Sequence, residues 1–429
     1  MDAGSIGDRL SFLLDRLRER LWLKPLMICS LSVLAVFLAK IADSNAAIFA
    51  SLPEVKAQSL DTLLSIMASS MLVIATFSVT SMVSAYASAS SMATPRSFPV
   101  IVADDASQNA LSTFVGAFIF SIVALVALQN NYFQKPGLFL LFSLTVLVFS
   151  IVIFTFVRWV DRIARLGRMG STIAKVESAT EKALLKNRLQ PYLGGQPLAT
   201  PLGEGIPVYP DDVGYILHID MPRLQLWAKQ HEVDVSVNTL PGKLVSPNRP
   251  LLYVHTPDDD LAAQERSQLQ AAFRIGRERI FNEDPRFGFV VLSEIACRAL
   301  SPAVNDPGTA IMVNASLLRL LSRWAAQTRT ETEPQYPRVA VAKIEVDDLF
   351  EDGFDAIARD GAGTVEVATR LQKVLSDLAQ NGDEEMQHAA ITTGRKALEY
   401  ARHALVLEAD LARVVAAANY TEAKQLGHA

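Results

Sequence analysis

Four long apolar runs dominate residues 1–165, whereas polar and apolar positions are mixed through the rest of the chain. The runs lie at about residues 25–45, 62–90, 108–129 and 136–157. A helix needs about 20 mostly apolar residues to cross hydrocarbon, so each run is expected to span a bilayer. Lys40 and Asp43 interrupt the first run only near its outer end, where a lysine stem can snorkel. The second stays free of charge from residue 62 to 95, longer than a bilayer needs, and should tilt or protrude. Asn130, Asn131, Lys135, Pro136 and Gly137 predict a tight turn between the last two. Residues 8–21, with Leu10, Leu13, Leu14 and Leu17 on one side, read as an amphipathic surface helix. No clean small-x-small site follows, so this segment is expected to be retained.

Beyond the runs, residues 166–205 read as a basic helix and a Pro/Gly linker. Residues 206–256 read as a small β-rich module, with strands at 213–219 and 233–240 around a helix near 222–231. The stretch 241–254 resembles a biotinyl/lipoyl-type half-repeat, in which a turn precedes a buried strand. It lacks the Met-Lys hairpin that accepts a cofactor, so no cofactor is expected. Residues 257–429 read as mainly helical: a polar stretch within 259–327, a strand near 339–346, then helices at 347–359, 364–379 and 384–417. The expected fold class is therefore an α-helical integral membrane domain of four spans, residues 1–165. An α+β cytoplasmic domain with a helical C-terminal part follows it.

Charge sets the expected orientation. Eleven Lys or Arg lie before the first run, between the second and third, or after the fourth; only Lys40, Lys56 and Lys135 lie on the other side. By the positive-inside rule both termini are cytoplasmic. Arg158, Arg162, Arg165 and Arg168 sit where anionic lipid heads are met. Residues 1–165 carry net +2 and the remainder −7, which argues against nucleic acid as a partner.

The second run is unusual in its polarity. Thirteen residues from Thr62 to Thr94 are Ser or Thr. At helical spacing most fall within an arc of about 160°, among them Ser65, Ser69, Thr76, Thr80, Ser84 and Ser88. Ser78 and Ser90 fall outside it. A hydroxyl stripe along a whole span should be hidden from lipid. One reading is close helix packing, aided by Ala68, Ala75, Ala85 and Ala89. The other is the wall of a polar pathway for an ion or small solute in a homo-oligomer, although Ile66, Val73 and Phe77 interrupt it. Pro95 and Pro99 break this helix, and Asp104, Asp105 and Ser107 offer caps for the next.

In the soluble part, Arg277, Asp284, Arg286, Glu294, Arg298, Asn305 and Asp306 form the densest paired charge, beside Pro and Gly turns. Glu278 and Arg279 adjoin it. The cluster is either a functional site or a salt-bridged helix junction at a subunit interface. Asp306 followed by Pro307 suits a helix start. No P-loop, dinucleotide fingerprint, nucleophile elbow or CxxC occurs, and the six histidines show no metal-ligand spacing. Neither catalysis, a cofactor nor a metal is expected. Cys29 and Cys297 read as inert thiols.

Two stretches resemble one bacterial family. The first is Ala85-Tyr-Ala-Ser-Ala-Ser-Ser91 with the following Pro95-Arg-Ser; the second is Arg298-Ala-Leu-Ser-Pro-Ala-Val-Asn-Asp-Pro307. They resemble the family "predicted membrane protein, domain of unknown function 2254". The likeness implies a bacterial inner membrane and a multi-span N-terminal half, and carries no established activity. Three functions stay open: a conductance pathway, a membrane-anchored sensor or scaffold, and an enzyme centred on Glu294 and Asp306. The topology is checked by fusing a fluorescent reporter that matures only in the cytoplasm after residue 429. Fluorescent cells are expected, and dark cells with full-length fusion in the membrane contradict the orientation.

Overall fold

The computed structural model describes residues 23–44, 53, 55–102, 105–163, 168–198, 205–257, 260–327, 333–381 and 383–418. The expected surface helix at 8–21 and the cap Asp104 lie outside them. The chain divides into two compact units, Met1–Met92 with Phe98–Arg168, and Ala93–Ser97 with Met169–Ala429.

The first unit is helical: α1 (Leu23–Ser44), α2 (Ala57–Met92), the short α3 (Phe98–Val102), α4 (Asp105–Gln129) and α5 (Lys135–Ile163). Among the described residues, three stretches are long and apolar enough to cross a membrane, namely Ala57–Ala89, Ser107–Gln129 and Lys135–Ile163. In α1 the apolar stretch found is Pro25–Lys40, shorter than a span. Length and composition thus support three spans where four were expected.

The central helix is α4, which packs on α1, α2 and α5. Its Phe114 and Phe120 are fully buried, and Phe114 meets the Trp159 ring edge-on at 6.2 Å. Buried Ser112 and Ser121 donate to Gln108 O and Ala117 O at 2.7 and 2.8 Å. Such back-bonding satisfies a hydroxyl donor where no water reaches.

Lys40 does more than snorkel. Its Nζ donates to Asp43 Oδ2 at 3.0 Å and to the Tyr132 carbonyl at 2.6 Å. The Asp43 carboxylate in turn accepts from Gln134 N at 3.0 Å and Gly137 N at 2.8 Å. A helix leaves its first amides without partners, so Asp43 caps α5 from a different helix. Gly137 allows this approach, because a Cβ there would lie 2.7 Å from Asp43 Oδ1.

The second unit joins two sheets to a helical block. It begins with α6 (Met169–Leu189), β1 (Gly195–Pro197), β2 (Ile206–Val208), β3 (Gly214–Ile219), α7 (Met221–Gln230), β4 (Asp234–Val237), β5 (Leu244–Val245) and β6 (Leu252–His255). Then come α8 (Ala263–Gln270), β7 (Phe273–Gly276), α9 (Pro285–Leu300), α10 (Pro307–Ala326) and β8 (Tyr336–Val341). One sheet runs β1-β8-β4-β6-β2, with β8 parallel to both neighbours; the other is antiparallel, β5-β3-β7. Val235, Val237, Leu252, Val254, Val339 and Val341 pack with Leu224, Trp227 and Ala228 of α7.

Three strands correct the sequence reading. β1 lies in the expected linker, β7 at the start of the polar stretch, where no strand was expected, and β8 starts earlier than expected. Each is short and finds its partner far along the chain, where local periodicity gives no sign of it. The resemblance of 241–254 to a half-repeat does not extend to the fold, because β5 and β6 join different sheets.

The remaining helices are α11 (Val346–Phe350), a π turn at Glu351–Asp355, α12 (Ala356–Asp360), α13 (Val365–Asn381), α14 (Glu384–Ala404) and α15 (Glu408–Ala417). The single helix expected over 384–417 is thus two. Extended backbone at Leu405 and Leu407 separates them, and Val406 there is fully exposed.

Helix α6 packs against α9 and α10. At the tightest point Gly288 of α9 meets Thr180 of α6, and a Cβ on Gly288 would overlap Thr180 Oγ1. Gly288→Ala is therefore expected to cost roughly 1–3 kcal/mol through overpacking, read as a lower unfolding midpoint of the detergent-solubilised chain. Adding Thr180→Ala should return part of the loss. An unchanged midpoint in Gly288→Ala would show that the contact is looser than described.

Candidate functional site

Two faces of α2 lie on opposite sides. Leu60, Leu64, Met67, Ala68, Met71, Ala75, Ser78, Met82, Tyr86 and Ala89 are buried. Ser65, Ser69, Thr76, Thr80, Ser84 and Ser88 are all exposed. Helix packing within the chain thus runs through leucines, alanines, methionines and Ser78, one of the two serines that fall outside the stripe. Ser69, Thr76 and Thr80 donate to the carbonyls of Ser65, Leu72 and Thr76 at 2.9, 2.9 and 3.1 Å. Those bonds use the donors and leave acceptor lone pairs facing outward. Leu72, Val73, Phe77 and Val83 share the open side. By contrast, Phe142, Val146, Leu147, Ile151, Phe154 and Val157 give α5 a greasy surface.

The polar set in the second unit does not converge on one point. Asp284 is 2% exposed and caps α9, accepting from Phe287 N at 3.1 Å. Arg279 grips it in a fork, with Nε 2.7 Å from Oδ2 and Nη2 3.0 Å from Oδ1. Burial still pushes the Asp284 carboxyl above its usual range, against Arg279 and the helix amide. Gly242, at φ +90°, lets the preceding loop reach this carboxylate. Arg286 instead holds the π turn, with Nε 2.6 Å from Asp352 Oδ2 and Nη1 bonded to Asp348.

Glu294 accepts from Thr94 Oγ1 at 2.8 Å and from Arg96 Nη1. Asp306 caps α10, accepting from Thr309 N at 3.2 Å and Thr309 Oγ1 at 2.6 Å. Asn305 precedes it in the left-handed region, at φ 49°. Asn305, Asp306, Arg298 and Arg277 are all exposed. These residues therefore act as separate clamps, caps and turns. The Cys297 thiol is pushed up to about 12 by burial and by Asp360, so it stays protonated.

One polar group escaped the sequence reading. His218 Nδ1 on β3 lies 2.9 Å from Glu283 Oε2, just before α9, and Lys186 Nζ of α6 lies 3.4 Å from Oε1. Partners 65 residues apart, with no spacing motif, leave no local signal.

The model of a family described as a predicted membrane protein, domain of unknown function 2254, matches residues 18–377. The chain belongs to this family. The match covers every described helix from α1 to α12 and ends within α13. An uncharacterized protein of Mycobacterium tuberculosis (strain CDC 1551 / Oshkosh) is 27% identical over 208 residues, 45% of this chain and 39% of the relative. An uncharacterized protein of Mycobacterium bovis is 33% identical over 130 residues, 28% of this chain and 24% of the relative. The chain thus spans well under half the length of these relatives. No solved structure matches it.

The His218 pair gives this family member a pH dependence with a definite sign. The hydrogen bond to Glu283 lifts the imidazole above its ordinary 6.5. Burial alone would raise Glu283, but His218 and Lys186 hold it below its ordinary 4.5. The histidine's contribution is complete below 6.5 and fades as pH rises through its raised folded value. The glutamate's is complete above 4.5 and fades as pH falls through its lowered folded value. Subtracting the unfolding profile of His218→Gln from that of the native chain should leave a difference greatest between these values. It should shrink at alkaline pH. A difference that is flat or grows with pH would show that the pair is not ionised as described.

Proposed function

We propose that the chain is a four-span protein of the bacterial inner membrane with both termini in the cytoplasm. Copies of it assemble around the hydroxyl face of α2, which lines a pathway for an ion or small solute. In this reading α1 completes the bundle as the fourth span. The second unit serves as an assembly or gating domain and has no catalytic role.

One observation carries the reading. The open side of α2 bears Ser65, Ser69, Thr76, Thr80, Ser84 and Ser88 in one protomer, while between Phe142 and Val157 the exposed side of α5 is hydrocarbon apart from Ser150. Hydroxyls that already bond back to their own helix reduce the cost of facing lipid without removing it, because their remaining lone pairs stay unmet. Contact with another copy, or with water held between copies, meets them.

The test is flux from liposomes holding the purified chain, under voltage and under tension. Flux is expected, together with its reduction in a Thr76→Val, Thr80→Val, Ser84→Val triple variant that keeps its oligomeric size. Absence of flux from intact oligomers overturns the pathway. It would favour a membrane-anchored scaffold acting through the second unit.

A further inference from the structure

Residues Ala93–Ser97 follow Met92, the last residue of α2, and precede Phe98, the first of α3. Their contacts nevertheless place them in the second unit. A single tight turn, Pro95–Ser97, forms there. Ser97 N and Ser97 Oγ both donate to the Thr94 carbonyl, at 3.0 and 2.7 Å. Pro95 fixes its own φ, which stiffens the turn further.

The turn offers two side chains to one carboxylate. Thr94 Oγ1 and Arg96 Nη1 each bond a different oxygen of Glu294. Glu294 stands in the middle of α9, between Ser293 and Ile295, which are both buried. Its position is therefore set by a packed helix rather than by a loop.

We propose that Glu294 is the catch of a latch which, through Thr94 and Arg96, holds the C-terminal end of α2. The inference deepens the pathway reading and rests on it for what is regulated, the end of the hydroxyl face. Thr94 lies two residues beyond the last residue of α2, so a single residue, Ala93, separates the helix from the first prong of the latch. An exposed Arg–Glu pair alone is worth little. Here the threonine bond to the second oxygen fixes the carboxylate's orientation and makes the contact two-pronged. Packed elements of this kind switch between discrete positions rather than deforming smoothly.

The test is amide hydrogen exchange of the full chain in lipid nanodiscs, read at residues 86–97. Glu294→Gln is expected to speed exchange there about fivefold, the loss of roughly one ordinary hydrogen bond, with α10 unchanged. Arg96→Glu should do the same, and the swap Arg96→Glu with Glu294→Arg should restore protection. Unchanged exchange in Glu294→Gln, or a swap no better than Arg96→Glu alone, overturns the latch. If Glu294→Gln loosens α10 as well, the swap decides. Liposome flux is read separately. Lack of flux in the native chain sinks the pathway and leaves exchange to judge the latch; flux with unaltered exchange removes only the latch.

Discussion

Hydrocarbon offers no hydrogen bonds, and in the first unit every polar group that the helices carry has to find a partner within the protein. The backbone solves this by being helical. Buried Ser112, Ser121 and Thr145 solve it by donating to carbonyls one turn back. Lys40 and Asp43 solve it jointly, and in doing so cap α5 and fix the turn before it. Among the groups only partly provided for are the outward hydroxyls of α2, three of which spend their donors on their own helix. They give that face a run of hydroxyls where the exposed surface of α5 between Phe142 and Val157 has Ser150.

The second unit manages charge in another way. Its half-buried ions are held in forks: Arg279 on Asp284, Arg286 on Asp348 and Asp352, and Arg319 on Glu177 at 2.7 and 2.6 Å. Arg188 lies over the Trp324 ring at 4.4 Å. Removing one partner of a buried pair strands the other, so these pairs dictate where helices meet more than how stable the unit is. Glu294 is the member of the set that receives the segment following α2.

Much of this architecture was legible along the chain. The apolar runs marked the helices of the first unit, and Asp306 with Pro307 marked the start of α10. Ala68, Ala75 and Ala89 proved to be packing residues, but on the face opposite the hydroxyls. Other features were hidden because their partners are distant in sequence. Asp43 caps a helix that begins more than 90 residues later, and β1, β7 and β8 acquire meaning only when paired. The polar cluster showed its density in sequence but not its division, because density along a chain does not tell which carboxylate each arginine will reach. Arg286 turns to the π turn, while its neighbour Asp284 turns to Arg279.

The central claim is that the hydroxyl face of α2 meets another copy of the chain and not lipid. Single cysteines placed at Thr80 and, separately, at Phe154 of α5, in chains with Cys29 and Cys297 replaced by alanine, test it by oxidation in native membranes. Efficient covalent dimers through position 80 and few through position 154 are the predicted result. Equal, low cross-linking at both positions, with position 80 labelled by a lipid-soluble maleimide as readily as position 154, would contradict it.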